Sequence, residues 1–231
     1  MFNSVKRYLK RSQAEHLAEH AESPWLRDYA AKLPLDRRAK LRDLRFVAID
    51  IETTGLDARI HEILSIGTVD IEGFQIRSES ARQWWVKPRG RIEAQSVNIH
   101  GITESQLANA PYIEEIVPEV MAHLSGAVLL AHNALIERDF LAAAIWQVED
   151  VKVPFTMADT LVLERAKLFR QNIPINRFAL QLDTVMQRYN LLQDRSHDAL
   201  SDALGCAQVA LALFAHTKMR SQLDLRAIQW C

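Results

Sequence analysis

The stretch FVAIDIETTGL, residues 46–56, decides the fold class. Its first seven residues form a short, mostly apolar run, which is typical of a buried central strand. Asp50 lies between two isoleucines in this run, and an unpaired buried carboxylate is costly, so Asp50 requires a cation nearby. Residues two apart on a strand face the same side, so Asp50 and Glu52 project together. Two carboxylates at a strand end favour Mg²⁺ or Mn²⁺ over zinc, although a strand that merely ends in acidic residues would look the same.

The four residues that follow, Thr53, Thr54, Gly55 and Leu56, form the loop beside this carboxylate pair. They offer two hydroxyl groups, a flexible glycine and exposed backbone N–H groups. Such a loop can hold a phosphate or a ribose and lets a base approach closely. A plain connecting turn would have a similar sequence, so this segment is specific only together with other motifs.

Four further segments have the pattern of strands, and their order indicates a mixed α/β fold. Residues 62–73 alternate in polarity and end in a Gly turn, and residues 82–88 follow, so both are expected to be antiparallel neighbours of the first strand. Residues 126–132 form a second buried apolar strand, a helical stretch follows, and residues 155–160 form a fifth strand. Hairpin-linked strands followed by alternating strands and helices predict a mixed five-stranded sheet with helices on its faces.

Residues 1–45 predict a helical extension in front of this sheet. Apolar residues from Trp25 to Leu33 recur at helical spacing, and Ser23-Pro24 before them suits an N-cap and a first-turn proline. The extension carries 11 Lys and Arg residues against 6 Asp and Glu, whereas the rest of the chain carries 17 against 23. This asymmetry favours a polyanionic or acidic partner, with a solvated basic helix as the alternative.

The bulk composition of the 231 residues excludes several classes of protein. No apolar run approaches the roughly 20 residues of a membrane helix, and no apolar stretch follows the first basic residues, as it would in a secretory signal. Two cysteines, Cys206 and Cys231, are too few for a disulfide framework or a thiolate zinc site. We therefore expect a cytoplasmic protein.

A second acidic group lies in the segment SHDALSDALGCAQVALALF, residues 196–214. Its apolar residues predict a helix that packs against the sheet, and Asp202 is embedded in that helix. His197 lies at the expected helix start, where a largely neutral imidazole can swing over a neighbouring site. A His at a helix start is ordinarily a polar cap, but together with Asp202 and the earlier pair of carboxylates it indicates a catalytic site.

Three segments together resemble the motifs of the DEDDh (DnaQ-like) 3′–5′ exonucleases, whose pattern is similar to the epsilon proofreading subunit of bacterial DNA polymerase III. They are Asp50–Leu56, His132–Ala134 and His197–Asp202. Ile99–Thr103 and Met157–Leu161 resemble two further segments of the family, HGIT and DTL. The resemblance covers roughly residues 46–218. It implies a ribonuclease H-like fold, two Mg²⁺ or Mn²⁺ ions, and release of nucleoside 5′-monophosphates from a nucleic-acid 3′ end.

The resemblance also implies a role for each of the reacting residues. Asp50 would bridge both metals. Glu52 and Asp202 would hold the metal that activates water, and His197 would be the general base. The spacing H-x-A-x-x-D is that of the superfamily members whose general base is a histidine. Members whose base is a tyrosine place it one position differently.

Other matching residues are implied to surround the terminal nucleotide. These are the loop from Thr53 to Leu56, His100 and Asn133. For His100 and Asn133, a purely structural hydrogen bond is the alternative.

One position departs from the family pattern. The family places Asp five residues after the His of its second motif, but this chain has Glu137 there. Asp139 does not replace it, because two residues further along a helix is about 200° around the axis. Glu137 keeps the carboxylate and adds a methylene, which changes its reach, so we expect the second metal to be bound more weakly or through water.

The expected organisation is a basic helical extension (residues 1–45), an exonuclease domain (46–218) and a tail (219–231). A polymerase-bound proofreading subunit would need a C-terminal extension, so we expect a free-standing enzyme or one that is recruited differently. In the tail, Gln222–Leu225 resembles part of a sliding-clamp-binding motif without its aromatic residue. An ordinary helix-end tail is the alternative.

The expected substrate is a DNA 3′ end, in repair, proofreading-like work or end-trimming. An RNA-trimming relative stays open, because contacts that sense the 2′-hydroxyl depend on the shape of the pocket. A nucleic-acid-binding adaptor with a degraded site also stays open, because of Glu137.

Overall fold

The computed structural model describes residues 2–192, 198–215 and 223–228. One sheet has the strand order β3-β2-β1-β4-β5. Its strands are β1 (Arg45–Thr53), β2 (Ile63–Glu72), β3 (Gln75–Trp85), β4 (Val128–Ala131) and β5 (Met157–Asp159). The first three pair antiparallel, whereas β4 runs parallel to β1 and β5 parallel to β4. The predicted mixed five-stranded sheet flanked by helices is confirmed.

Helices cover both faces of the sheet. They are α1 (Phe2–His20), α2 (Pro24–Lys32), α3 (Ala94–His100), α4 (Glu104–Leu107), α5 (Ile113–Leu124), α6 (Leu135–Glu149), α7 (Thr160–Arg170), α8 (Leu182–Arg188) and α9 (Ala199–Ala215). Short 3₁₀ turns form at Leu41–Asp43 and Leu225–Ala227. Within the described residues, none of the helices has the length and apolar character needed to cross a membrane.

Strand β1 lies at the centre of the sheet and contributes to two separate cores. Val47, Ile49 and Ile51 belong to the core on the side of α2, α5 and α6. Phe46 and Ala48 belong to the core on the opposite face, under α9. Since side chains alternate along a strand, Asp50 and Glu52 continue the second series and project from the face that α9 covers.

Helix α9 lies directly on strand β2 because Gly67 has no side chain. A Cβ atom at Gly67 would lie 2.2–2.3 Å from the backbone of Ala199 and Leu200. In the sheet, Gly67 is the register partner of Asp50. The close approach therefore brings the first turn of α9 over the strand that carries the two carboxylates.

The β2–β3 hairpin corrects the predicted third strand. Gly73 and Phe74 both have positive φ values, 57° and 64°, which is the turn geometry that suits a tight hairpin. Strand β3 consequently begins at Gln75, seven residues before the predicted start at Arg82, and ends at Trp85 rather than Pro88. Its first half is a mostly polar edge segment without apolar alternation, and Lys87 leaves the sheet to donate its N–H to Pro111.

Residues 1–45 contain α1 and α2, and both helices pack on the core beside β1. Leu17, Leu26 and Tyr29 are buried there, and the Lys10 Nζ donates to the Phe155 carbonyl at 2.6 Å. Ser23 is the N-cap residue of α2, as expected, but its hydroxyl donates to the Glu149 carboxylate instead of capping the helix. The division of the chain into an extension, a domain and a tail stays a prediction.

The described part of the tail is folded against the segment before β1. Leu41 donates its N–H to the Leu223 carbonyl at 3.0 Å, and Leu225 donates to the Ala39 carbonyl at 3.1 Å. The Leu225 side chain is fully buried in the core under α9, and Leu223 packs against that core. Gln222, the first residue of the predicted clamp motif, lies outside the described residues.

Candidate active site

Three carboxylates from distant parts of the chain meet at the edge of the sheet where β1 ends. Asp50 and Glu52 come from β1, and Asp202 comes from the first turn of α9. One carboxylate oxygen from each of the three residues lies within 4.8 Å of the oxygens from the other two. The structure therefore brings together three of the four residues that were predicted to hold metal ions.

Burial and repulsion between the carboxylates dominate the electrostatics of this cluster. Burial, followed by the charges of Glu137, Glu52, Asp202 and Asp198, raises the pKa of Asp50 well above its ordinary value. Burial, followed by the charges of Asp202 and Asp198, raises the pKa of Glu52 to about 7. Both shifts mean that ionisation of the cluster is unfavourable until positive charge is supplied.

Glu137 faces the same cluster from the first turn of α6. Its side chain is only 4% exposed, and its Oε2 atom has no hydrogen-bond partner among the described residues. Burial, followed by the charges of Asp159 and Glu52, raises the pKa of Glu137 to about 8. Asp139, by contrast, is exposed and pairs with Arg138 at 2.7 Å, which agrees with the helical geometry expected for it.

These residues fit a divalent cation. Asp50, Glu52, Asp202 and Glu137 are all oxygen donors, which Mg²⁺ and Mn²⁺ prefer. The buried Glu137 oxygen has no hydrogen-bond partner among the described residues, and the carboxylates repel one another. A cation would relieve both features.

Asp198 anchors the start of α9. Its backbone carbonyl accepts from the Asp202 N–H at 2.9 Å, and its carboxylate accepts from the Ser201 N–H at 3.2 Å, as in an N-cap. The Gln83 side chain of β3 donates to the same carboxylate at 2.6 Å and to the Ser65 hydroxyl at 3.1 Å. Gln83 could not be predicted from the sequence, since a polar residue on an edge strand carries no signal. His197 itself lies outside the described residues.

The loop after β1 is held mainly by its own hydroxyl groups. The Thr53 hydroxyl donates to the Gly55 carbonyl at 2.7 Å. The buried Thr54 hydroxyl accepts from the Glu62 N–H at 3.0 Å and contacts the His61 ring. That ring packs so closely on Gly55 that a Cβ atom there would lie about 2.5 Å from it. The predicted nucleotide-binding role of these residues is untested, and the hydroxyl groups of both threonines already have partners within the loop.

Leu56, His100 and Asn133 are the other three residues predicted to contact the nucleotide, and their surroundings differ from one another. Leu56 is 80% exposed at the tip of the loop. His100 is buried, its Nδ1 accepts from the Ile102 N–H at 3.0 Å, and its Nε2 has no partner among the described residues. Burial lowers the pKa of His100, so the ring is neutral with its proton on Nε2, an unused donor. Asn133 is exposed and has a positive φ of 79°.

A hydrogen-bond network fixes the turn at Asn133. The buried Asp159 carboxylate accepts from the N–H groups of Asn133 and Ala134, both at 3.1 Å, and caps α7. The His132 Nδ1 contacts the Thr160 hydroxyl at 2.8 Å, and its Nε2 donates to the Leu180 carbonyl at 2.7 Å. The segment of Asp159 matched the family, but this capping role of Asp159 was not predicted.

Comparison with known proteins agrees with this geometry. Residues 47–210 match the model of the exonuclease family RNase T. The chain belongs to this exonuclease family. This match confirms the resemblance to DnaQ-like, DEDDh-type 3′–5′ exonucleases that the sequence motifs indicated. It also confirms the predicted enzyme class, a 3′–5′ exonuclease.

Relatives and solved structures extend the comparison. The chain is 37% identical over 169 residues to a PolC-type DNA polymerase III of Thermotoga maritima, a match that covers 73% of this chain but only 12% of that protein. The nuclease domain of 3′hExo, described as a DEDDh family member bound to rAMP, has a TM-score of 0.64 at 20% identity, covering 80% of this chain and 98% of that one. Exonuclease X in complex with 5′-overhanging duplex DNA has a TM-score of 0.60 at 23% identity, with the same coverage. Both structures share the fold.

The family depends on divalent metal ions, and the acidic cluster of this chain is consistent with that dependence.

Proposed function

We propose that this protein removes nucleotides one at a time from the 3′ ends of DNA, with two divalent metal ions at the carboxylate cluster. The observation that carries the proposal is the convergence of the Asp50, Glu52 and Asp202 oxygens within 4.8 Å of one another. The buried oxygen of Glu137 beside them, which has no partner in the part of the chain that the structure describes, supports a second ion.

Each acidic residue of the cluster has its own role in holding the ions in this proposal. Asp50 would be shared by both ions, Glu52 and Asp202 would complete one position, and Glu137 would serve the other. When bound, Mg²⁺ or Mn²⁺ ions acidify a water molecule and neutralise the charge that develops on the scissile phosphate. The backbone contact at Gly67 keeps the carboxylates of β1 and α9 at a fixed separation, which pre-organises the site for such ions.

His197 is the proposed general base. An unperturbed imidazole has a pKa of about 6.5, so near neutral pH it can accept the proton of an attacking water. The neighbouring Asp198 is fixed by Gln83 and by the first turn of α9, so the chain on one side of His197 is anchored. The deprotonated imidazole takes one proton, and the leaving 3′-oxygen of the shortened strand is protonated from solvent.

Three groups are proposed to hold the terminal nucleotide. The exposed Leu56 side chain offers an apolar contact for a base, and the His100 Nε2–H has no acceptor among the described residues. The exposed Asn133 follows a backbone turn that Asp159 holds rigid. A rigid contact of this kind supports orientation of the scissile bond.

DNA is the proposed substrate because the relative from Thermotoga maritima is a DNA polymerase and exonuclease X was solved with DNA. The nuclease domain of 3′hExo was solved with rAMP, which makes RNA trimming the second candidate.

One experiment tests these proposals together. The purified protein is incubated with single-stranded DNA or RNA of the same sequence, labelled at the 5′ end in one set and on the 3′-terminal nucleotide in another, with Mg²⁺, Mn²⁺ or EDTA. We expect a ladder of products shortened from the 3′ end, mononucleotide release, preference for DNA, and loss of activity in EDTA. Asp50→Asn should abolish release, while Asp139→Asn, a carboxylate that faces away from the cluster, should not. Preference for RNA would favour the second candidate, and binding without release from either strand would favour a non-catalytic adaptor.

The proposed contact with a sliding clamp stays a prediction. Leu225 is buried and Leu223 packs against the core, so a clamp could take these side chains only after the tail leaves its place. A pull-down of the full chain on immobilised clamp, compared with a Leu223→Ser variant, tests the contact directly.

A further inference from the structure

The second half of α7 and its connection to α8 carry a surface that the proposed chemistry does not use. Residues 165–182 contain four Lys and Arg residues and no Asp or Glu, in a chain whose net charge is −1. Exposed apolar side chains are interleaved with these cations, and they are Phe169, Ile173, Ile175 and Phe178. Basic residues interleaved with exposed aromatic rings are the combination that single-stranded nucleic acids bind.

Arg177 and Phe178 form the part of this surface that is built for stacking. The Arg177 guanidinium lies 4.4 Å from the centroid of the Phe178 ring, and the ring still exposes 49% of its surface. Among the described residues, no carboxylate forms an ion pair with Arg177, so its charge is available to a phosphate group. Bases stack on aromatic rings and on guanidinium planes alike.

Hydrogen bonds hold the backbone at and just after Phe178. The Asn176 side chain accepts from the Phe178 N–H at 2.9 Å. The Arg188 guanidinium donates to the Ala179 carbonyl at 2.8 Å and to the fully buried Glu164 carboxylate, also at 2.8 Å. Rigid aromatic groups lose little conformational entropy when a ligand binds, which favours a binding role.

The same pair lies near the active-site edge of the sheet. The Leu180 carbonyl accepts from the His132 Nε2 at 2.7 Å. His132 follows the carboxyl end of β4, which runs parallel to β1, so it lies at the edge where Asp50 and Glu52 project. Phe178 is two residues from Leu180, so at most about 7 Å of chain separates them.

We propose that Arg177 and Phe178 form a stacking platform that binds single-stranded DNA upstream of the 3′-terminal nucleotide. The proposal rests on the exonuclease function above and adds the position of the strand. A base extends the stack of the guanidinium and the ring, while the charge of Arg177 attracts the backbone phosphates. The platform binds the strand and takes no part in the cleavage of the scissile bond.

The test compares a long substrate with one that is too short to reach the platform. The long substrate is a 20-nucleotide thymidine oligomer, and the short one is the p-nitrophenyl ester of thymidine 5′-monophosphate. Phe178→Ala and Arg177→Ala are compared with two controls far from the site. Trp146→Ala removes an equally exposed aromatic, 48% exposed, near the distal end of α6, and Arg42→Ala removes an exposed arginine before β1, at the end opposite to Asp50.

We expect Phe178→Ala to raise the KM for the oligomer about tenfold, the usual effect of losing one stacking contact. Arg177→Ala should also raise this KM and weaken its dependence on salt. Hydrolysis of the ester should stay unchanged in both variants, and Phe178→Trp should restore the KM for the oligomer. The two controls should behave as the wild type on both substrates.

The outcomes separate this inference from the proposed function. If the wild type cleaves neither substrate, the exonuclease proposal fails. If the wild type is active and Phe178→Ala cleaves the oligomer as Trp146→Ala does, the platform is refuted. Equal loss on the oligomer and the ester would also refute it, because the ring would then support the fold of the site and not the strand.

Discussion

A Cβ atom on Gly67 would lie 2.2 Å from the carbonyl carbon of Ala199, so β2 and the first turn of α9 are in direct backbone contact. Gly67 is also the register partner of Asp50, and Asp202 follows Ala199 by less than one helical turn. This one contact between Gly67 and Ala199 therefore sets how close two of the clustered carboxylates come.

Gly67→Ala should consequently damage both stability and activity. The added methyl group meets backbone atoms that cannot rotate away, so α9 must shift, at a cost of about 3 kcal/mol or more. We expect a clear fall in Tm by calorimetry, together with loss of metal-dependent exonuclease activity. Gly73→Asn, at a position with positive φ and no atom within 4 Å of the added Cβ, should leave both nearly unchanged. A stable, fully active Gly67→Ala protein would contradict the role of this contact.

Removal of His197 tests the proposed general base. We expect His197→Ala to lower kcat on single-stranded DNA by about 10²–10⁴-fold, the usual contribution of a general base. Binding of the strand in EDTA, measured by fluorescence anisotropy, should change little. His20→Ala, which removes an exposed histidine on α1, serves as the control. Unchanged turnover in His197→Ala would show that another group accepts the proton.

Glu137 tests the departure from the family pattern. Glu137→Asp restores the shorter side chain, and we expect it to keep or raise exonuclease activity, because the carboxylate remains. Glu137→Ala should lower activity sharply and raise the Mg²⁺ concentration needed for half-maximal rate. Asp139→Ala, two residues away and exposed, should have no such effect. Collapse of activity in Glu137→Asp would mean that the local geometry requires the longer side chain.

The raised pKa values predict that metal-free protein loses stability as pH rises. Glu52 has a pKa of about 7 and Glu137 of about 8 when folded, against an ordinary value of 4.5. The folded state therefore holds more protons than the unfolded state between about pH 4.5 and 8, and its stability declines across that window. In EDTA we expect Tm to be lower at pH 8 than at pH 5.

Mg²⁺ should reverse this decline, since a cation favours the ionised carboxylates. We expect it to raise Tm by about 5 °C at pH 8 and by much less at pH 5. Glu52→Gln should flatten the pH dependence in EDTA, while Glu72→Gln, on the same sheet but at the distant end of β2, should not. A Tm that is independent of both pH and Mg²⁺ would contradict the assigned electrostatics.

Much of the site could be predicted from local patterns in the sequence. The period of two in β1 placed Asp50 and Glu52 on one face, and helical geometry separated the buried Glu137 from the exposed Asp139. The first part of β3 could not be predicted from the sequence, because a mostly polar edge strand does not show the alternation of apolar and polar residues that marks a strand. The roles of Gln83 and Asp159 were missed because a side chain that holds another segment leaves no periodic signal.

The sequence by itself determined most of the strands and helices, which of their faces are apolar, and which carboxylates would need a cation nearby. Those properties depend on neighbours along the chain, and a short window of residues contains them. Only the tertiary structure decided that Asp202 and Glu137 reach Asp50, and that the Leu180 carbonyl ties the connection after α7 to His132. Such contacts depend on how closely helices approach the sheet, which is set by packing between residues far apart in the chain.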